Sequence, residues 1–181
     1  MATLKLTISR NIIFVRDFTA AVERMFDEDP QIDIAFQKER IEGGEVNTGF
    51  IALRCNERVK AFFKKVSRLM ADHRDWNEQK VINDLILNDD QWRNDRLGWA
   101  YLPLSFYART HGWPPLIDAV LYHANCTIGA DGVGQKVRQF RKFAIHVRRP
   151  DIIVRTLLAR AGDAWRRRGG SSRHEYRRHS R

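Results

Sequence analysis

The 181-residue chain contains only two cysteines, Cys55 and Cys126. Two distant cysteines exclude a disulfide framework and a cysteine-held metal cluster. Both fall in or beside expected strands, so buried free thiols are expected. No apolar run is long enough to cross a bilayer. Met1–Arg10 has neither a sustained hydrophobic core nor a small-residue cleavage site, which argues against a secretory leader and for a cytoplasmic protein. No internal repeat is visible. There is no Gly-x-Gly-x-x-Gly turn in the context of a dinucleotide site. Recognition-helix, zinc-finger and aromatic-plus-basic strand signatures are missing too, which argues against a specific reader of nucleic acid.

Acidic residues are scarce in one region only. From Arg141 onward the chain has thirteen Lys and Arg against three acids, Asp151, Asp163 and Glu175. Residues 1–140 have nineteen of each sign, so the net charge of +10 belongs to the C-terminal part. That end suggests non-specific contact with polyanions, nucleic acid or an anionic surface. It says nothing about a site in the body.

The length suits one domain with a substantial core. Short apolar runs alternate with helical periodicity, which predicts an α/β layered fold. Ile12–Val15 reads as a buried strand in a mixed or parallel sheet. Thr19–Phe26 reads as a short helix or turn, Ile32–Phe36 as a strand and Gln37–Glu45 as a loop. Glu57–Met70 has Val59, Phe62, Phe63, Val66 and Leu69 at helical spacing, with Asn56 as its cap. Glu78–Leu87 reads as a second helix and Trp99–Leu104 as a strand broken by Pro103. Residues 105–118 read as an irregular loop, Ala119–Tyr122 as a strand and Gly129–Gly134 as a loop. Gln135–Phe143 and Asp151–Trp165 read as helices, the latter amphipathic through Ile152, Ile153, Leu157 and Leu158. Residues 166–181 lack an apolar pattern and are expected to be disordered.

The centre of the sequence is Val46-Asn47-Thr48-Gly49-Phe50-Ile51-Ala52-Leu53-Arg54. By composition it is a polar turn, preceded by Gly43-Gly44, that feeds a core strand. Gly49 also allows another group to approach the backbone closely. The stretch Asn47-Thr48-Gly49-Phe50, followed by an apolar strand and Arg54, resembles the central motif of the nucleotide-diphospho-sugar transferase domain family. Four further blocks resemble that family in its order: Ile12–Asp17, Asn77-Glu78-Gln79 with Asn83, Tyr101-Leu102-Pro103, and His123-Ala124-Asn125-Cys126.

The resemblance implies a GT-A-type fold over residues 1–145, here a partial mixed sheet flanked by helices, followed by an amphipathic helix (146–165) and a basic tail (166–181). It implies transfer of a sugar from a nucleotide diphosphate sugar to a glycan or other hydroxyl acceptor. In the family an Asp-x-Asp pair before the first matched strand holds Mn²⁺ or Mg²⁺ against the diphosphate. Ser9 and Asn11 stand at those positions, neutral donors weaker than carboxylates. The late histidine, His123, is implied as the remaining metal or diphosphate ligand. Lys136, seven residues after Gly129, matches a phosphate-reaching lysine, although that spacing is longer than the family's. Glu78 is the implied catalytic acid–base group. Asn47, Thr48, Gly49, Gln79, Asn83 and Asn125 are implied donor or acceptor contacts.

The plainer alternatives stay open at each position. Glu78 can be a helix-terminal acid beside a capping Asn77. His123 can be a structural hydrogen-bonder. Arg54, Trp99, Trp113 and Tyr122 can line a sugar site or anchor the core. Only about ten residues precede the matched region, so the chain resembles the C-terminal portion of such a domain. A separate nucleotide-binding half, or a degenerate remnant that binds carbohydrate or protein and needs no metal, is the corresponding expectation.

Overall fold

A computed structural model of the chain describes residues 3–89, 97–112, 115, 117–127, 129–149, 151–152, 154–155 and 157–162. The elements are β1 (Leu4–Ile8), β2 (Ile12–Phe14), α1 (Thr19–Glu28), β3 (Ile34–Lys38), β4 (Val46–Arg54), α2 (Glu57–Asp72) and α3 (Glu78–Asn88). They are followed by β5 (Trp99–Tyr101), β6 (Phe106–Ala108), a 3₁₀ turn at Arg109–His111, β7 (Leu121–His123) and α4 (Gly132–Arg148). The described residues between 151 and 162 are helical as well.

The strands form two mixed sheets, β1-β4-β3-β5 and β2-β7-β6. β3 and β5 are parallel, as are β6 and β7, and the other pairs are antiparallel. The α/β class and the mixed sheet therefore follow the expectation from the sequence.

β4 is the central element. Ile51 and Leu53 point to one core, where Val59, Phe62 and Val66 of α2 meet Val81, Ile82 and Leu85 of α3. Phe50 and Ala52 point to the opposite core, with Val22 and Phe26 of α1, Phe106 and Leu121. Two buried faces explain why the stretch is apolar without alternation. A third cluster seats Phe143 of α4 on Tyr107 and Tyr122. α2 starts where Asn56 Oδ1 accepts from the Val59 amide at 2.9 Å, the cap expected from the sequence. Gln37 joins the two sheets: its buried Nε2 donates to the Phe106 carbonyl at 3.0 Å.

Several expectations are corrected. Val46–Gly49 is not a turn before a strand but the first half of β4. β2 is an edge strand with Ile13 and Phe14 exposed, not a buried one, because it pairs only with β7. Residues 105–118 contain β6 and the 3₁₀ turn rather than loop alone. α4 begins at Gly132, inside the expected loop. Both cysteines are exposed, since each lies just outside its strand. β1 had no expected counterpart. The tail, 166–181, and Trp113 lie outside the described residues.

Candidate functional site

The site begins with an irregularity in β4. β3 pairs Phe36 with Ile51 but Gln37 with Asn47, so Thr48, Gly49 and Phe50 have no partner in β3. The skipped residues need other hydrogen-bond partners. Asn47 Oδ1 accepts from the Gly49 amide at 2.8 Å, and Gln79 Oε1 accepts from the Thr48 amide at 3.3 Å. The Gly49 carbonyl accepts from the Ser9 amide at 2.7 Å. Glu39 Oε2 accepts from both Asn47 Nδ2 and Gln79 Nε2. One carboxylate thus fixes the orientation of the two amides that hold the bulge.

The bulge opens a cavity of about 570 Å³. Ser9, Glu39, Asn47–Gly49, Glu78, Gln79, His123 and Asn125 line it. Its walls therefore come from β1, β4, α3 and the end of β7. A second cavity of about 420 Å³ shares the Glu39 and Gln79 wall and continues over Asn77, Asn83 and Asp84.

α3 delivers Glu78 in both of the ways left open by the sequence. Asn77 caps the helix, its Oδ1 accepting from the Lys80 amide at 2.8 Å, and Glu78 sits in the first turn. The half-buried Glu78 carboxyl also faces the cavity, and burial raises its pKa. A carboxylate held there is a stronger base than an exposed one.

β7 delivers His123, which is 6% exposed. Its Nδ1 is buried without a hydrogen-bond partner. Burial, with a smaller contribution from the Lys136 charge, lowers its pKa to about 4. The ring is thus neutral through the physiological range and has an unused polar edge. Gly49 makes room for it: a Cβ there would lie 2.0 Å from His123 Cε1.

A histidine whose pKa is lower in the folded chain charges first in the unfolded chain. Its contribution to stability is complete above the unfolded value near 6.5 and falls as pH drops toward about 4. Between pH 7 and pH 5 the loss is about 2 kcal/mol. His111, lowered by burial too, acts in the same direction. Urea unfolding at the two pH values measures the slope. His123→Gln is expected to remove most of it, and an unchanged slope in that variant would exclude His123 as its source.

Comparison with protein families matches residues 11–140 to nucleotide-diphospho-sugar transferase. The chain belongs to this family. Among curated proteins none matches it. The matched region contains every cavity-lining residue named above except Ser9, which stands two positions before it.

The transferase family implies a divalent cation, and the donor set here does not fit one. Ser9 offers a hydroxyl and His123 one buried imidazole edge, while Asn11, a neutral amide, lies outside the cavity lining. The backbone carbonyl of Asn11 accepts from the Ala124 amide at 2.8 Å, which ties Asn11 to the end of β7. Of the two carboxylates that line the cavity, Glu39 has its Oε2 engaged by two side-chain amides, and burial disfavours the charged form of Glu78. No group of three His, Cys, Asp or Glu suited to a metal occurs among the described residues. Hard cations need several charged or strongly polar oxygens.

The remaining expected site residues divide into two sets. Asn47, Thr48, Gly49, Glu78, Gln79, Ser9, His123 and Asn125 meet at one cavity. Asn125 is also tied back to Thr110, accepting from its amide and donating to its Oγ1. Asn11 does not line the cavity. Asn83 lines the second one, where its Oδ1 and Nδ2 close on both backbone groups of Val46. Lys136 acts on His123 by charge without lining the cavity. Arg54 is held by the Ile32 and Phe26 carbonyls, and Trp99 packs on Phe36 and Tyr101, so neither reaches the cavity. Tyr122 stacks on Phe143.

Glu39 was not legible as a site residue. It stands in a charged loop with no motif, and only the β3–β4 hairpin brings it beneath Asn47 and Gln79.

Proposed function

We propose that this family member binds a nucleotide diphosphate sugar in the 570 Å³ cavity and transfers the sugar slowly to a hydroxyl acceptor. The observation that carries this reading is the convergence of Asn47–Gly49, Glu78-Gln79 and His123 on one wall-to-wall site. The acceptor oxygen bonds to the anomeric carbon while the carbon–oxygen bond to the diphosphate breaks. The leaving diphosphate keeps the electron pair, and Glu78 takes the acceptor proton. The raised pKa of Glu78 suits that role. Neutral His123 lines the cavity beside the leaving group, and the Lys136 charge acts from outside that lining. Where the family uses two carboxylates and a cation, this chain has Ser9 and Asn11, which supports slow transfer with little dependence on Mn²⁺ or Mg²⁺.

The same substitution favours a second reading, a remnant that binds the sugar without transferring it. Turnover of a nucleotide-sugar panel, with and without Mn²⁺, separates the two. Glu78→Gln is expected to lower the rate at least about tenfold while leaving donor binding intact. It should cost little stability, since burial disfavours the charge that it removes and offsets the loss of the helix-end attraction. Binding without turnover in the parent chain supports the remnant. Rapid, strictly Mn²⁺-dependent transfer would overturn both.

A further inference from the structure

The C-terminal helical residues have an apolar stripe that the body does not cover. Val154, Leu157, Leu158 and Ala161 recur at helical spacings of three, four and seven from the first. Val154 is 45% exposed, Leu157 50% and Leu158 66%. Beside them Arg155 is exposed, 4.0 Å from Asp151. α4, just before, has the same mixture on its solvent side, with Ile145 and Val147 exposed and Arg141 and Arg148 among them. Residues 163–181 add seven arginines against two acids, with Ala164, Trp165 and Tyr176 as the apolar side chains.

We propose that this stripe seats the protein on an anionic lipid surface. Its leucines would enter the acyl boundary while the arginines lie among the headgroups. An exposed apolar face flanked by cations is the pattern of a helix that lies in the plane of a bilayer interface. The charge distribution selects this occupant over others. A second copy would bring two strongly cationic ends together. A nucleic acid would satisfy the arginines but leave Leu157 and Leu158 without a role, because phosphate contacts are polar. An anionic bilayer uses both, and each cation near its surface adds to the attraction. No described helix is long and apolar enough to span a membrane, so the seat is superficial. This inference is independent of whether the cavity transfers sugar.

Flotation of the full chain with phosphatidylcholine vesicles, with and without phosphatidylglycerol, tests it. Binding is expected only with the anionic lipid, and it should weaken with salt. Leu157→Asp with Leu158→Asp should lower the bound fraction about tenfold or more at unchanged helical circular dichroism. If that pair fails to fold, Leu158→Trp gives a second reading. Its added emission should shift to the blue and be quenched by brominated anionic lipid. Equal binding by the Asp pair, or competition by duplex DNA with no effect of either substitution, would assign the affinity to charge alone and overturn the proposal. So would a parent dimer that the Asp pair converts to monomer, or no vesicle binding at all.

Discussion

Gly49→Ala is expected to remove ligand binding and to cost about 3 kcal/mol of stability. The added methyl would lie 2.0 Å from His123 Cε1 and 2.3 Å from Nδ1. One route to relief swings the imidazole into the cavity, which fills the space a diphosphate would occupy. The other pushes β7 from β4, which strains the Ile12–His123 and Ala108–His123 pairs. Either route disturbs the contact that defines the site. Gly49→Ala should show at least a tenfold loss of nucleotide-sugar affinity and a lower urea midpoint. A variant with parental affinity would mean that His123 moves freely and that Gly49 is not its seat.

Asp33→Ala should destabilise the chain by about 3 kcal/mol, with no effect on the cavity's chemistry. Asp33 is fully buried at the start of β3. Its Oδ1 accepts from Arg58 Nη2 at 2.8 Å and from Asn56 Nδ2 at 2.6 Å, and its Oδ2 accepts from the Gly98 amide at 3.0 Å. The one carboxylate thereby ties β3 to the cap of α2 and to the entry of β5. Removing it leaves the Gly98 amide without its partner and frees the capping Asn56. The half-exposed Arg58 can return to water, which keeps the cost below that of a fully buried pair. Denaturant unfolding measures the loss. A change under about 1 kcal/mol would show that water replaces the carboxylate at this junction.

The contrast between Gly49 and Asp33 shows what a sequence discloses. α2 and α3 were legible because Val59, Phe62 and Val66, and Val81, Ile82 and Leu85, repeat at helical spacing behind the capping residues Asn56 and Asn77. The grouping of Asn47–Gly49, Glu78-Gln79 and His123 was legible because family motifs recur in order. The bulge was not. A three-residue register shift between β3 and β4 depends on what Gln79 and Glu39 offer the skipped amides, and those residues are distant in the chain. β1 escaped because its exposed edge position leaves Leu4–Ile8 without the neighbours that mark a core strand. β2 misled for the opposite reason: Ile12-Ile13-Phe14 is apolar enough for a core, yet it closes the edge of a three-stranded sheet. Residues 105–118 hid β6 because its three residues are held by parallel pairing to β7, a long-range feature.

Ser9 and Asn11 illustrate a partial outcome. Both stand where the resemblance places carboxylates. Ser9 lines the cavity and Asn11 does not. Restoring acids at both positions would therefore place one carboxylate at the cavity and leave the other beside it.

The most direct measurement is isothermal titration of the intact chain with a panel of nucleotide diphosphate sugars, run once with Mn²⁺ and once with a chelator. Saturable binding of at least one donor is expected, of similar strength in both conditions and lost in Gly49→Ala. Absence of binding across the panel, or binding that vanishes with the chelator, would contradict it.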